Sequence, residues 1–370
     1  MKVHLVFPYA ALYRQPIYML MDEHFDCQFH FCKNDNEPLK KMNYEVLKDC
    51  RFDIREYKIY GQWKCFKGLL SIDFDPGDII ITPGNVRYIS LWLLMLKNIV
   101  LRKKWTIIPW THAWYGKESW FLKQIKKSYY SLASYILLYG NYAKVLMQQE
   151  GFKEDKLKVI YNSLNYDDQL ILRNSLSPSN IYKEHFGNNN PVLIMIGRLN
   201  LRKKLNLLIQ ALSNLKVKGE YYNVVLVGDG EDRVALEELV NSKGLTEQVW
   251  FFGACYDEKQ NAELIFNSDM CVVPGDIGLT AIHTMMFGVP SLSHDYYPIQ
   301  GPEFEAIKSD ETGCFYKRDD VDSLADNISK WFKKHGQERE KIRNNCYREI
   351  DSHWNPHVQL EILKSIIKGN

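Results

Sequence analysis

The chain has 370 residues, 46% of them hydrophobic and 25% charged, with a formal net charge of +2. These are globular values with room for two cores; they exclude a disordered chain and give no general attraction for nucleic acid. Eight cysteines lack metal-ligand spacing and several lie in apolar runs, so reduced, buried thiols in a cytoplasmic protein are expected.

The opening Met1–Pro8 reads as a short strand, too short for the apolar part of a secretion signal. No uninterrupted apolar run reaches about 18 residues, so no membrane-spanning helix is expected. Strands are expected at Lys2–Phe7, Cys27–Phe31, Asp78–Thr82, Thr106–Trp110, Tyr135–Leu138, Lys144–Met147 and Lys158–Tyr161. Arg14 follows the first of them, Gly84 and Asn85 follow Asp78–Thr82, and His112 follows Thr106–Trp110. Residues 97 to 127 hold eight basic residues (Lys97, Arg102, Lys103, Lys104, Lys117, Lys123, Lys126, Lys127) against one acid, Glu118. Trp92, Trp105, Trp110, Trp114, Trp120, Tyr129 and Tyr130 lie among and beside them. Basic residues beside aromatics suit an anionic membrane surface over region 92–130; a solvated helix face above core aromatics is the plain alternative.

Asn162–Asn190 is rich in Asn, Ser, Pro and Gly, and Asn188-Asn189-Asn190-Pro191 breaks the pattern. The pattern then restarts with strands at Val192–Ile196, Asn223–Val227, Val249–Phe252, Met270–Val273 and Ser291–Ser293, and helices through Leu205–Leu215 and Arg233–Lys243. Strands alternating with helices imply parallel βαβ units in two series. The expected fold class is α/β, with two Rossmann-like doubly wound domains at 1–175 and 176–345. An amphipathic tail follows at 346–370.

In such sheets, ligands bind outside the carboxyl ends of the strands. After Val192–Ile196 come Gly197, Arg198 and Lys203, a pair of cations able to clamp a diphosphate. Gly228 and Gly253 end the next two strands. Met270–Val273 runs into Pro274-Gly275-Asp276-Ile277-Gly278-Leu279-Thr280, a turn that opens a helix and offers unpaired N–H groups to a phosphate. Four such junctions together point to a nucleotide-type ligand more firmly than any one alone.

Residues 192–328 resemble the donor-binding half of glycosyltransferase family 4. The resemblance is carried by Gly197-Arg198-Leu199 with Lys203, Val227-Gly228-Asp229-Gly230, Phe252-Gly253, Gly278-Leu279-Thr280, Phe287-Gly288-Val289-Pro290 and Asp310-Glu311-Thr312-Gly313. Thr111-His112-Ala113 and Tyr13-Arg14-Gln15-Pro16 extend it more loosely into the first half. The resemblance implies a GT-B fold whose two domains face an interdomain cleft, the last helix crossing back to the first domain. It implies a retaining hexosyltransferase that needs neither metal nor cofactor, with a UDP- or GDP-sugar donor and a glycan or lipid-linked acceptor. Bacterial surface polysaccharide synthesis at the inner face of the cell membrane is the setting this suits. Arg198, Lys203 and His112 then take catalytic roles. Gly197, Gly228, Gly253, Asp276, Gly278, Leu279, Thr280, His283 and Glu305 are assigned to the donor, and Arg14 and Asn85 to the acceptor.

The chain departs from the family at two glutamates flanking the turn, whose positions hold Gly275 and His283. Asp276, Glu303 and Glu305 are the nearby acids, and Glu305 aligns with a family acid after the next strand. A nucleotide-sugar epimerase of the same fold and a non-catalytic partner subunit remain as alternatives.

Overall fold

The computed structural model describes residues 1–32 and 40–368. The chain divides into two compact units, Met1–Asn165 with Asn355–Asn370, and Tyr166–Trp354.

The first unit is built on a sheet of β1 (Val3–Phe7), β2 (Cys27–Cys32), β3 (Cys50–Tyr60), β4 (Trp63–Lys67), β5 (Ile79–Pro83), β6 (Thr106–Thr111), β7 (Ile136–Leu138) and β8 (Leu157–Val159). Its order is β4-β3-β2-β1-β5-β6-β7-β8. Only β3 and β4 pair antiparallel. Every residue of β1 and β2 is buried, as parallel strands covered on both faces require. Side chains alternate across the sheet: Val6, Ile80 and Ile107 enter one core, while Leu5, Phe7, Ile79, Ile81 and Ile108 enter the other. Leu360, Leu363, Ile366 and Ile367 of the helix Pro356–Ile367 complete that second core.

The second unit holds β9 (Val192–Ile196), β10 (Asn223–Val227), β11 (Val249–Gly253), β12 (Met270–Val272), β13 (Ser291–His294) and β14 (Gly313–Tyr316). They form a parallel sheet in the order β11-β10-β9-β12-β13-β14. The strand order reverses between β9 and β12, so the loops leaving those two strands diverge around a crevice at their carboxyl ends. Among the described residues no helix is long and apolar enough to cross a membrane. All eight cysteines are unbridged.

Several expectations need correction. Lys144–Met147 lies in a helix, Asn141–Gln149, because Ala143 and Met147, one turn apart, are the residues that face inward. The stretch 162–190 carries two helices, Tyr166–Ser175 and Ile181–Phe186. The division falls at 165/166 and 354/355 instead of 175/176 and 345/346. The helix Tyr166–Ser175 packs on Glu258–Asn267 and Thr280–Met286, and Arg339–His353 also packs on Thr280–Met286, so both belong to the second unit. The β3–β4 hairpin escaped the sequence reading because its charged and apolar residues are mostly exposed and signal no core.

The basic region also changes character. Trp105, Trp110, Trp114, Tyr129 and Tyr130 are core residues. Glu118 takes Lys126 at 2.7 Å, and Glu150, outside the counted window, takes Lys123 at 2.7 Å and Lys127 at 2.9 Å. Arg102, Lys104 and Lys117 stay exposed, and so does a run of apolar residues: Leu93, Leu96, Ile99 and Val100 on the helix Ile89–Val100, then Leu101, and Trp120 and Phe121 opening the next helix.

Candidate active site

In the second unit the junction residues assemble at the carboxyl ends of β9 to β12. Gly197 N–H donates to Val227 O at 2.9 Å, and Gly228 N–H to Gly253 O at 2.8 Å, so the three glycines step along one edge. A Cβ on Gly228 would stand 1.9 Å from Gly197 O; only glycine lets these backbones pass. Thr280 Oγ1 donates to Ile196 O at 3.1 Å and pins the start of the helix Thr280–Met286 to the end of β9.

The turn between β12 and that helix is held from behind. Ser293 Oγ donates to Val273 O at 2.9 Å and Gly275 O at 3.1 Å, and Tyr316 Oη donates to Pro274 O at 2.7 Å. Lys203 Nζ donates to Asp276 O at 2.8 Å and Ile277 O at 3.0 Å. Every carbonyl from Val273 to Ile277 is therefore occupied. The N–H groups that follow, on Gly278, Leu279 and Thr280, donate to no acceptor among the described residues. Three consecutive free donors on a rigid turn form an anion nest. Lys203 stiffens that nest from beneath: burial lowers its pKa, with Asp276 pulling the other way. Arg198 is the exposed cation, its side chain 72% exposed and, among the described residues, 3.4 Å from Glu231.

In the first unit, Arg14, Asn85 and His112 come together as lining of one cavity of about 690 Å³. It opens at the ends of β1, β5 and β6 and is walled by Trp110, Tyr115, Tyr130 and Tyr139. The His112 ring lies 4.6 Å from that of Tyr139 and stacks on Tyr115 at 5.7 Å. Among the described residues no group of three or more His, Cys, Asp or Glu side chains is placed to hold a metal ion.

Residues 178–349 match the family described as Glycosyl transferases group 1. The chain is 26% identical over 209 residues to an uncharacterized glycosyltransferase of Methanocaldococcus jannaschii, a match spanning 53% of this chain and 50% of that protein. It is 25% identical over 338 residues to a Campylobacter jejuni α-1,4-N-acetyl-D-galactosaminyltransferase whose named substrate is a diphospho-undecaprenol glycan, covering 89% of this chain and 87% of that one. The chain is thus similar to the glycosyl transferases group 1 over residues 178–349, a little under half of its length.

Its fold is GT-B. Anabaena HepE, solved in complex with UDP, matches the whole chain with a TM-score of 0.71 at 16% identity. Against that frame, the residues replacing the expected acids have distinct surroundings in this glycosyltransferase. Gly275 N–H donates to Lys203 O at 2.9 Å and Asp276 N–H to Arg202 O at 3.0 Å, which zips the turn to the loop after β9. Asp276 extends the zip: its carboxylate takes Arg202 at 2.7 Å and Gly301 N–H at 2.9 Å. His283 pairs with an acid at the start of another helix. Its Nε2 meets Glu258 Oε1 at 2.8 Å, and the same oxygen accepts from Gln169 at 2.7 Å. Burial raises the Glu258 pKa, but the hydrogen bonds from His283 and Gln169 outweigh it and hold the carboxyl below its usual range.

Of the two later acids, Glu305 is half-buried while Glu303 is 3% exposed. A Cβ built on Gly301 would lie 2.7 Å from Glu303 Oε2 and 3.1 Å from Gly278 Cα, so this carboxylate stands beside the nest. Sequence reading missed the bracing by Arg202, Ser293, Tyr316 and Gln300, whose Oε1 accepts from Ile277 N–H at 3.0 Å, because it joins segments far apart in the chain. His294, at the end of β13, is also part of this surround. Its Nδ1 accepts from Tyr296 N–H at 3.2 Å.

Burial, with Arg318 and Lys204 nearby, pushes the His294 pKa down to about 4, against Asp276 and Asp319. The unfolded chain therefore binds this proton more readily, so stability is complete above about pH 6.5 and is lost as pH falls toward 4. The loss is expected to reach about 3 kcal/mol by pH 4, at ~1.4 kcal/mol per pH unit. Denaturant melts of wild type and His294→Asn across that range check it: the variant should lack this slope, and parallel curves would refute the assignment.

Proposed function

We propose that the chain moves a hexose from a nucleotide-diphosphate sugar to a glycan or lipid-linked glycan, retaining the anomeric configuration and needing no metal. The observation that carries the reading is the nest of three free N–H groups at Gly278–Thr280, with Arg198 at the neighbouring strand end. Breaking the sugar–phosphate bond builds negative charge on the departing diphosphate. Donors already aimed at that charge lower the barrier, and here they supply the positive field that a divalent cation supplies elsewhere. The UDP bound by HepE supports a UDP-sugar donor. The diphospho-undecaprenol substrate named for the Campylobacter relative supports a lipid-linked acceptor, as in surface polysaccharide synthesis. Retention is carried over from the family resemblance.

Thermal melts against UDP, GDP and their sugars test the donor. A ligand at a hundred times its Kd adds about 2.7 kcal/mol of stability. A shift that survives EDTA is expected; a flat response across the panel would sink the reading.

The exposed apolar face at Leu93, Leu96, Ile99, Val100 and Leu101, beside Arg102, Lys103 and Lys104, is proposed to rest on an anionic membrane. Vesicles containing phosphatidylglycerol should co-sediment the protein, and Leu96→Glu with Val100→Glu should reduce this at least tenfold. Equal recovery with purely zwitterionic vesicles would count against it.

A further inference from the structure

We infer that the cavity of the first unit takes an anionic saccharide, one bearing a carboxylate or phosphate group. The inference rests on the transferase reading and names the acceptor class.

The lining holds four cations, Arg14, Arg87, Lys117 and Lys126, against a single carboxylate, Glu118. That carboxylate is fully engaged: Lys126 Nζ donates to it at 2.7 Å, Tyr115 N–H at 2.8 Å and Gly116 N–H at 2.9 Å. The other three cations meet no carboxylate among the described residues. Arg14 is held instead by aromatic rings, 4.9 Å from the centroid of Trp110 and 5.5 Å from those of Phe7 and Tyr139, and its Nη1 donates to Tyr18 Oη at 3.3 Å. Lys117 sits 5.3 Å over Tyr115, and Arg87 is exposed at the rim. Asn85 Oδ1 accepts from Arg87 N–H at 3.1 Å, which fixes the backbone that carries the guanidinium.

Three like charges gathered on one concave wall repel one another. Arg87 and Lys117 both help to depress the pKa of Lys126, behind the larger effect of burial, so the field reaches across the cavity. Folding maintains such an arrangement against self-repulsion, and an anionic ligand relieves it. A guanidinium presents paired donors to either a carboxylate or a phosphate. The aromatic walls suit the apolar face of a sugar ring, so charge and ring belong to one ligand. A cavity of about 690 Å³ is large enough for a monosaccharide and the start of a second.

The test is calorimetry on the full chain saturated with UDP, titrated with methyl glucoside, methyl glucuronide and glucose 1-phosphate. At least one charged probe should bind tenfold or more tightly than methyl glucoside, and which one does identifies the group as carboxylate or phosphate. Arg87→Ala with Lys117→Ala, both at exposed positions, should erase that preference and leave UDP affinity unchanged. Equal binding of charged and neutral probes overturns the inference, as does a preference that survives the double substitution. Loss of UDP affinity in the double variant also overturns it, because the cations would then serve the donor. Absence of UDP binding in wild type would instead remove the transferase reading itself.

Discussion

Placing glutamate at Gly275, the residue type that the family resemblance puts there, is expected to abolish transfer and lower the melting temperature by about 6–12 °C. A Cβ at this position would lie 1.8 Å from Arg202 O and 2.8 Å from the carbonyl carbons of Arg202 and Lys203. These are backbone atoms held by the paired hydrogen bonds between Gly275–Asp276 and Arg202–Lys203, so no side chain can swing aside. Such a clash costs about 3 kcal/mol, which corresponds to that shift for a unit of this size. Separating the loops also withdraws Lys203 from the carbonyls of Asp276 and Ile277 and loosens the nest ahead of them. Gly275→Ala separates shape from charge, since alanine should lose nearly as much stability as glutamate. A glutamate variant that melts with wild type and transfers faster would show that the position tolerates the family acid.

Arg198→Ala should do the opposite: leave the fold alone and remove the chemistry. Both ends of its pair with Glu231 are more than half exposed, so losing the contact changes stability by no more than about 0.5 kcal/mol. If Arg198 neutralises charge on the leaving diphosphate, its removal should slow turnover about 100- to 1000-fold, the ~2.7–4 kcal/mol typical of one such donor. Arg198→Lys should fall between, because an ammonium keeps the charge and loses the planar fork. Steady-state kinetics with a UDP-sugar, alongside melts with UDP, separates the effects. An alanine variant with unchanged kcat and an unchanged UDP response would refute the clamp.

Much of the strand-end geometry of the second unit was legible because its signals are local. A buried apolar strand followed by Gly197, Gly228 or Gly253 needs only neighbouring residues to be read, and so does the turn ending in Gly278-Leu279-Thr280. The helix Asn141–Gln149 was misread because Val145-Leu146-Met147 is an apolar run that periodicity cannot assign. Part of the charge balance of the basic region was hidden for a different reason. Glu150, which takes Lys123 and Lys127, lies beyond the window and arrives by folding.

The sequence alone determined that two series of βαβ units exist, where their strands end, and that two expected acids are absent. Those properties depend on residue type and spacing within one element, so they survive without coordinates. Only the tertiary structure decided what the absences mean. Gly275 is a contact point between two loops more than seventy residues apart in the chain, His283 faces Glu258, and Glu303 stands beside Gly278. It also turned Lys203 from a second clamp into the brace beneath the nest, and gathered Arg14, Arg87 and Lys117 around one cavity. Each of these depends on distances between segments remote in sequence, and such distances are fixed only when the sheets bring the ends of non-consecutive strands side by side.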